Sequence, residues 1–110
     1  MRKKVPSDLK SNIFQFKNLI KYQTDSIVSR VIVDTNNTKI TLFAFDNGQS
    51  LSEHTTSFNA FVNIVEGNMA ITISGEVFQV KDNQTIIMPA HAPHSLIANS
   101  KAKMLLVMYK

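Results

Sequence analysis

All three histidines of this 110-residue chain fall in two short segments. The first is Gly48-Gln49-Ser50-Leu51-Ser52-Glu53-His54-Thr55-Thr56, running on to Glu66-Gly67. The second is Ile86-Ile87-Met88-Pro89-Ala90-His91-Ala92-Pro93-His94-Ser95-Leu96. Neutral imidazole is a ligand for zinc, iron, nickel or copper, and it also exchanges protons near neutral pH. In a strand, residues i and i+2 share a face, so His54 and Thr56 are expected to point one way and Glu53 and Thr55 the other. Glu53 then cannot serve the same centre as His54. Thr56 offers only a neutral hydroxyl, a poor ligand for a divalent metal. His91 lies between Pro89 and Pro93, which make its segment a stiff extended turn. Such a turn can aim His91 into the site, giving three nitrogens from His54, His91 and His94, or out to solvent. Without His91, the pair reads as hydrogen-bonded pocket histidines.

Other chemistries have little to work with. No cysteine is present, which excludes disulfides, thiolate sites and a cysteine nucleophile and fits a cytoplasmic protein. There are three glycines and no phosphate-binding loop, no serine in a nucleophile-elbow context, and no close carboxylate pair. Glu66 reads as an exposed turn residue.

The elements that must carry these residues are strands. The stretches 27–33, 39–45, 61–65, 69–73, 76–80, 85–88, 95–98 and 104–108 are β-branched or alternating. Turn clusters such as Asp34-Thr35-Asn36-Asn37, Asp46-Asn47-Gly48 and Ser74-Gly75 separate them, the last reading as a tight hairpin. Residues 13–22 are apolar enough for an edge strand with a short turn or helix. Eight to ten short strands without a long helix imply an all-β sandwich or closed barrel. Alternation puts Ala60, Val62 and Ile64 on one face. Met88, Leu96, Met104, Leu106 and Met108 are candidates for the lining or a sheet interface, with the face unassigned.

Length and composition describe one globular domain, 44% hydrophobic and 18% charged. The net charge of +4 is concentrated at the start: residues 1–21 hold six basic residues and one acid, the rest six against seven. Residues 1–12 read as a flexible basic leader and 13–110 as the domain. No aromatic or arginine cluster accompanies the leader, so nucleic acid and membrane are not expected partners.

The spacing of the two segments resembles the paired motifs of the cupin family, over roughly residues 40–108. Its first motif runs glycine, five residues, histidine, any residue, histidine, three or four residues, glutamate, six residues, glycine. Gly48, His54 and Gly67 match, while Thr56 and Ala60 stand at the second histidine and the glutamate. In the second motif Pro89 and His94 match. Asn83 and His91 stand at its two glycines and Ala98 at its asparagine. The resemblance implies an antiparallel β-barrel of the jelly-roll (double-stranded β-helix) type. It implies a degenerate metal site with no cofactor or a weakly bound zinc, manganese, iron or nickel. The implied pocket is partly apolar, takes a small molecule, and is formed by His54, Thr56, Ala60, Val62, Met88, His94 and Leu96. The alternative is a metal-dependent oxygenase, isomerase or hydrolase-like enzyme using His54, His91 and His94. A third is a sensor that pairs with another protein through the leader. A homodimer is expected, burying an apolar outer face to which Phe43, Phe45 and the strand from Met104 to Tyr109 contribute.

Overall fold

Period-two alternation sorts the side chains of nearly every strand into an inner and an outer set, and two sheets close over the inner one. A computed structural model describes residues 9–110. Nine strands follow in order: β1 (Ile27–Asp34), β2 (Thr38–Phe45), β3 (Ser50–His54), β4 (Asn59–Glu66), β5 (Asn68–Ile73), β6 (Glu76–Lys81), β7 (Thr85–Met88), β8 (His94–Ala98) and β9 (Ala102–Tyr109). One sheet runs β1-β2-β9-β4-β7 and the other β3-β8-β5-β6. Every pairing is antiparallel. The fold is an all-β jelly roll. Ser74 and Gly75 both have positive φ and join β5 to β6 as the tight hairpin expected from their sequence.

The interior is one apolar cluster. Phe45, Ala60, Val62, Ile64, Met88 and Met104 enter from the first sheet; Met69, Ile71, Val80, Leu96 and Ala98 enter from the second. This settles the unassigned residues: Met88, Leu96 and Met104 are interior, and Leu106 packs against them. It also corrects one expectation. Phe43 and Phe45 face the barrel interior, not an outer interface. The outward set on β2 is Ile40, Leu42 and Ala44, which pair with Val107, Leu105 and Lys103 of β9.

The outer face is partly covered by the chain's own N-terminal arm. Leu9, Leu19, Ile20 and Tyr22 pack with Leu42, Ala44 and Leu105 in a second cluster. Residues 13–22 are not a strand, contrary to their apolar pattern; a single 3-10 turn at Phe16–Asn18 interrupts an extended arm. Side chains of the sheet, rather than a backbone ladder, hold its carbonyls. Lys103 Nζ donates to the Lys17 carbonyl at 2.6 Å, and the Arg30 guanidinium to the Leu19 carbonyl at 3.3 Å. Of the leader, residues 1–8 lie outside the described residues, and Leu9 is already buried.

Glu66 is not the exposed turn carboxylate its sequence suggested. It ends β4 half-buried, accepts the Tyr22 hydroxyl at 2.6 Å, and lies 3.9 Å from Lys103 Nζ. The Lys103 ammonium also stands over the Tyr22 ring, 5.0 Å from its centroid. Burial, and then the Glu66 carboxylate, raise the Tyr22 hydroxyl well above the ordinary tyrosine range. A raised folded-state pKa contributes stability that is complete below the unfolded value of about 10 and is lost as pH rises beyond it. The wild-type melting temperature should therefore fall more steeply above about pH 10 than that of Tyr22→Phe. At neutral pH the same variant should cost roughly 1–2 kcal/mol, the worth of a hydrogen bond to a charged acceptor. Equal alkaline slopes in thermal melts would refute this role.

Candidate functional site

The site is built where the chain passes between the sheets at one end of the barrel. β3 ends at His54 and the chain crosses to β4; β7 ends at Met88 and crosses to β8, which opens with His94. The two crossing loops are stitched together. His91 N–H donates to the Thr56 carbonyl at 2.7 Å, and Ala90 N–H to Asn59 Oδ1 at 3.1 Å. Ser74 N–H ties the β5–β6 hairpin to the Pro93 carbonyl at 2.8 Å.

Register then brings two histidines together. Leu51 is opposite Leu96 and His54 opposite His94, so three steps along β3 match two along β8. This bulge places His54 across from His94, where strict alternation would have slipped it. Their Nε2 atoms are 3.0 Å apart, with ring centroids at 4.3 Å and planes at 69°. His94 is buried and His54 exposed, so the pair closes the mouth from the inside outward. Thr56 lies past the strand end, where its hydroxyl accepts the Phe58 N–H at 3.2 Å.

The hydrogen bonds of the pair define its state. His54 Nδ1 donates to the Ser52 carbonyl at 2.8 Å and His94 Nδ1 to the Ala92 carbonyl at 3.0 Å. A carbonyl only accepts, so both Nδ1 atoms carry hydrogen. Two neutral rings would then face each other with bare Nε2 lone pairs, a repulsive contact. One proton, or one cation, between the nitrogens makes it attractive. The arrangement can therefore hold one positive charge, or present an Nε2 donor or acceptor to a ligand atom that separates the rings.

His91 stands apart. Its backbone is left-handed, with φ of +70°, and its side chain is exposed. Among the described residues, no three His, Cys, Asp or Glu side chains group so as to hold a metal ion. His91 occupies a backbone position that suits glycine, and a bulky residue there costs about 1–2 kcal/mol. Part of that cost should be recovered in His91→Gly, which should raise the melting temperature by a few degrees and leave metal content unchanged. A fall in metal content in that variant would make His91 a ligand after all.

Ala60, Val62, Met88 and Leu96 belong to the packed interior, with Leu96 two residues beyond His94 on β8. Sequence reasoning gave no sign of an open groove elsewhere, about 480 Å³, between the arm at Leu19–Gln23 and β1 at Val28–Arg30. It depends on where the arm lies, which no local pattern encodes.

The cupin-domain family matches residues 41–109, more than half of the chain. The chain is a cupin. A conserved protein of unknown function from Streptococcus pyogenes is similar over 98% of this chain and 95% of its own, at 32% identity and a TM-score of 0.92. A cupin superfamily protein from Desulfitobacterium hafniense covers 99% and 97%, at 22% identity and a TM-score of 0.87. A salicylate 1,2-dioxygenase from Pseudaminobacter salicylatoxidans shares the fold over 78% of this chain and 27% of its own, at 13% identity and a TM-score of 0.72. No curated protein matches.

Cupin barrels often hold a metal, and the donors present can be tested against that. Catalytic zinc takes three protein ligands and a water. This cupin converges two imidazole nitrogens, with the Thr56 hydroxyl engaged in its own turn and a methyl group at Ala60. A donor set one or two ligands short does not fit a tightly held catalytic metal.

Proposed function

We propose that this cupin is a small-molecule-binding barrel with a degenerate metal site, acting as a cytoplasmic homodimer. The observation that carries the reading is the His54–His94 pair, bonded Nε2 to Nε2 at the mouth with both Nδ1 atoms committed to carbonyls. Such a pair beside an apolar interior suits a small, mostly apolar molecule with one oxygen acceptor. The oxygen takes the Nε2 hydrogen bond and the hydrocarbon lies toward the interior. The enzyme reading needs His91 as a third ligand, and the exposed, left-handed His91 gives it no support.

Two measurements test the proposal together. Elemental analysis of purified protein should find far less than one zinc, manganese, iron or nickel per chain. Benzoate, as an apolar carboxylate probe, should shift the imidazole NMR signals of His54 and His94 and leave those of His91 in place. One tightly held metal per chain would overturn the degenerate-site reading. Unmoved His54 and His94 signals would overturn the proposed mode of binding.

A further inference from the structure

β6 ends the four-stranded sheet and β7 ends the five-stranded one, and no ladder joins these two edges. Between them lies an open groove of about 360 Å³, lined by Phe78, Gln79 and Val80 of β6 and by Gln84, Thr85 and Ile86. Neighbouring residues of a strand point to opposite faces. Three consecutive residues on each side therefore mean that the groove runs along the strand edges and reaches their backbone. Its apolar lining is continuous with the barrel interior: Val80 belongs to the interior cluster, and Phe78 and Ile86 pack against it. No charged side chain lines the groove.

The ladders decide which backbone groups face the groove. In an antiparallel pair, successive residues turn their N–H and C=O alternately toward the partner strand and away from it. The Ile64 N–H donates to the Gln84 carbonyl at 3.0 Å, so Gln84 faces β4 and Thr85, the next residue, faces the groove. On the other sheet the Asn99 N–H donates to the Asn68 carbonyl at 2.9 Å, on the β8 side of β5. Met69 then faces β6, and its partner Val80 faces back. Gln79 is left with its N–H and C=O turned to the groove. Lys81, two residues on, turns the same way, and its N–H is capped across the turn by Gln84 Oε1 at 2.8 Å. That bond fixes the Gln84 amide, because a backbone N–H needs an acceptor, and its Nε2 points elsewhere with two donors. Thr85 Oγ1 accepts from Asn63 Nδ2 at 2.9 Å, which leaves its own hydrogen to donate.

We propose that the β6–β7 groove is a second binding site, which takes a short, uncharged, extended peptide segment as an added strand. A peptide backbone matches what the two facing edges present, a donor and an acceptor from one residue on each. Three lining residues per edge, at about 3.3 Å each, set the length at about 10 Å, or three residues of peptide. The peptide bonds the N–H and C=O of Gln79, rests an apolar side chain on Phe78 and Ile86, and offers a carbonyl to the Gln84 amide and the Thr85 hydroxyl. Charge complementarity selects an uncharged segment, since an ion in this lining would lose hydration without meeting a counter-charge. Glu76 and Lys81 stand at the two ends of β6 and blunt its edge against wider pairing, which confines the added strand to the residues around Gln79. The groove is separate from the histidine mouth and works whatever is bound there.

The probe is the blocked tripeptide acetyl-Thr-Val-Thr-amide, beside a control with its second and third backbone nitrogens methylated. In the free full-length chain, the Gln79 and Thr85 amides should exchange with deuterium at least roughly tenfold faster than those of Val80 and Ile86, which bond into the ladders. The peptide should shift the amide NMR signals of Gln79 and Thr85 and leave the ring signals of His54 and His94 in place. At about ten times Kd it should slow exchange at Gln79 roughly tenfold. The methylated control, which keeps the side chains and loses the donors, should do neither. Gln79→Pro should keep the wild-type circular dichroism spectrum, because proline is tolerated at an edge position whose N–H points outward, and should lose the response to peptide. The comparison of the two peptides on wild-type protein carries the test if that variant misfolds. Protected Gln79 and Thr85 amides in the free protein would show edges already paired and overturn the proposal. So would the absence of any shift at about 10 mM peptide, a response of His54 and His94 instead, or equal binding of the methylated control.

Discussion

Gly67→Ala should unfold this protein some 15–20 °C below wild type, the loss expected for about 4 kcal/mol in a domain of this size. Gly67 is where the chain leaves β4 for β5 and so passes from one sheet to the other. A Cβ there would lie 2.3 Å from the Lys101 carbonyl oxygen and 2.7 Å from the Ala102 Cα. Both are backbone atoms at the start of β9, so relief requires moving a strand rather than turning a side chain. The φ of +99° adds strain for any L side chain, and the Gly67 N–H is held by Asp82 Oδ1. Overpacking and strain together reach a large part of the ~5–15 kcal/mol that keeps a domain folded. Gly48 is the internal control. Its φ is +87°, but nothing lies within 4 Å of the position its Cβ would take. Gly48→Ala should cost only about 1–2 kcal/mol, the strain without the clash. Equal melting temperatures for the two variants would show that the close approach at Gly67 does not matter.

The two motif positions that depart from glycine show what a single sequence can and cannot convey. Asn83 and His91 stand where the family pattern has glycine, and both have positive φ, +59° and +70°. The spacing carried the backbone geometry even where the residue type did not, so the turns and nearly every strand were legible. Faces were harder. Phe43 and Phe45 share one side of β2, and alternation cannot say whether that side is inner or outer. The answer depends on the arm, which covers Leu42 and Ala44 and is fixed by Lys103, 86 residues away from Lys17. A bulge between Leu51 and His54 sets the register of the histidines, and β3 ends at His54, neither of which the alternation of residue types announces. The Tyr22–Glu66–Lys103 cluster gave no signal, because its members come from three distant segments and match no motif.

Ala60→Glu should turn a metal-indifferent protein into a metal-dependent one. Ala60 is 2% exposed and is the second residue of β4, at the barrel end where β3 closes with His54 and β8 opens with His94. A lone carboxylate buried there should cost several kcal/mol, so without metal the variant should melt far below wild type. With a divalent ion it becomes the third ligand beside the two convergent Nε2 atoms. Saturating manganese, nickel or zinc should then restore about 4 kcal/mol at a thousandfold excess over Kd. Metal binding requires deprotonated ligands, so this rescue should weaken in acid. Thr56→His is the weaker half of any fuller restoration, because Thr56 lies past the strand end with its hydroxyl in the Phe58 turn. Val62→Glu separates binding from mere burial. It places the same charge one row deeper on the same face, at 0% exposure, out of reach of the mouth. It should be destabilised as much as Ala60→Glu and gain nothing from metal. Equal rescue of both variants, or of neither, would break the correspondence between Ala60 and the lost carboxylate. With that correspondence would go the account of this barrel as one whose metal site has decayed to a histidine pair.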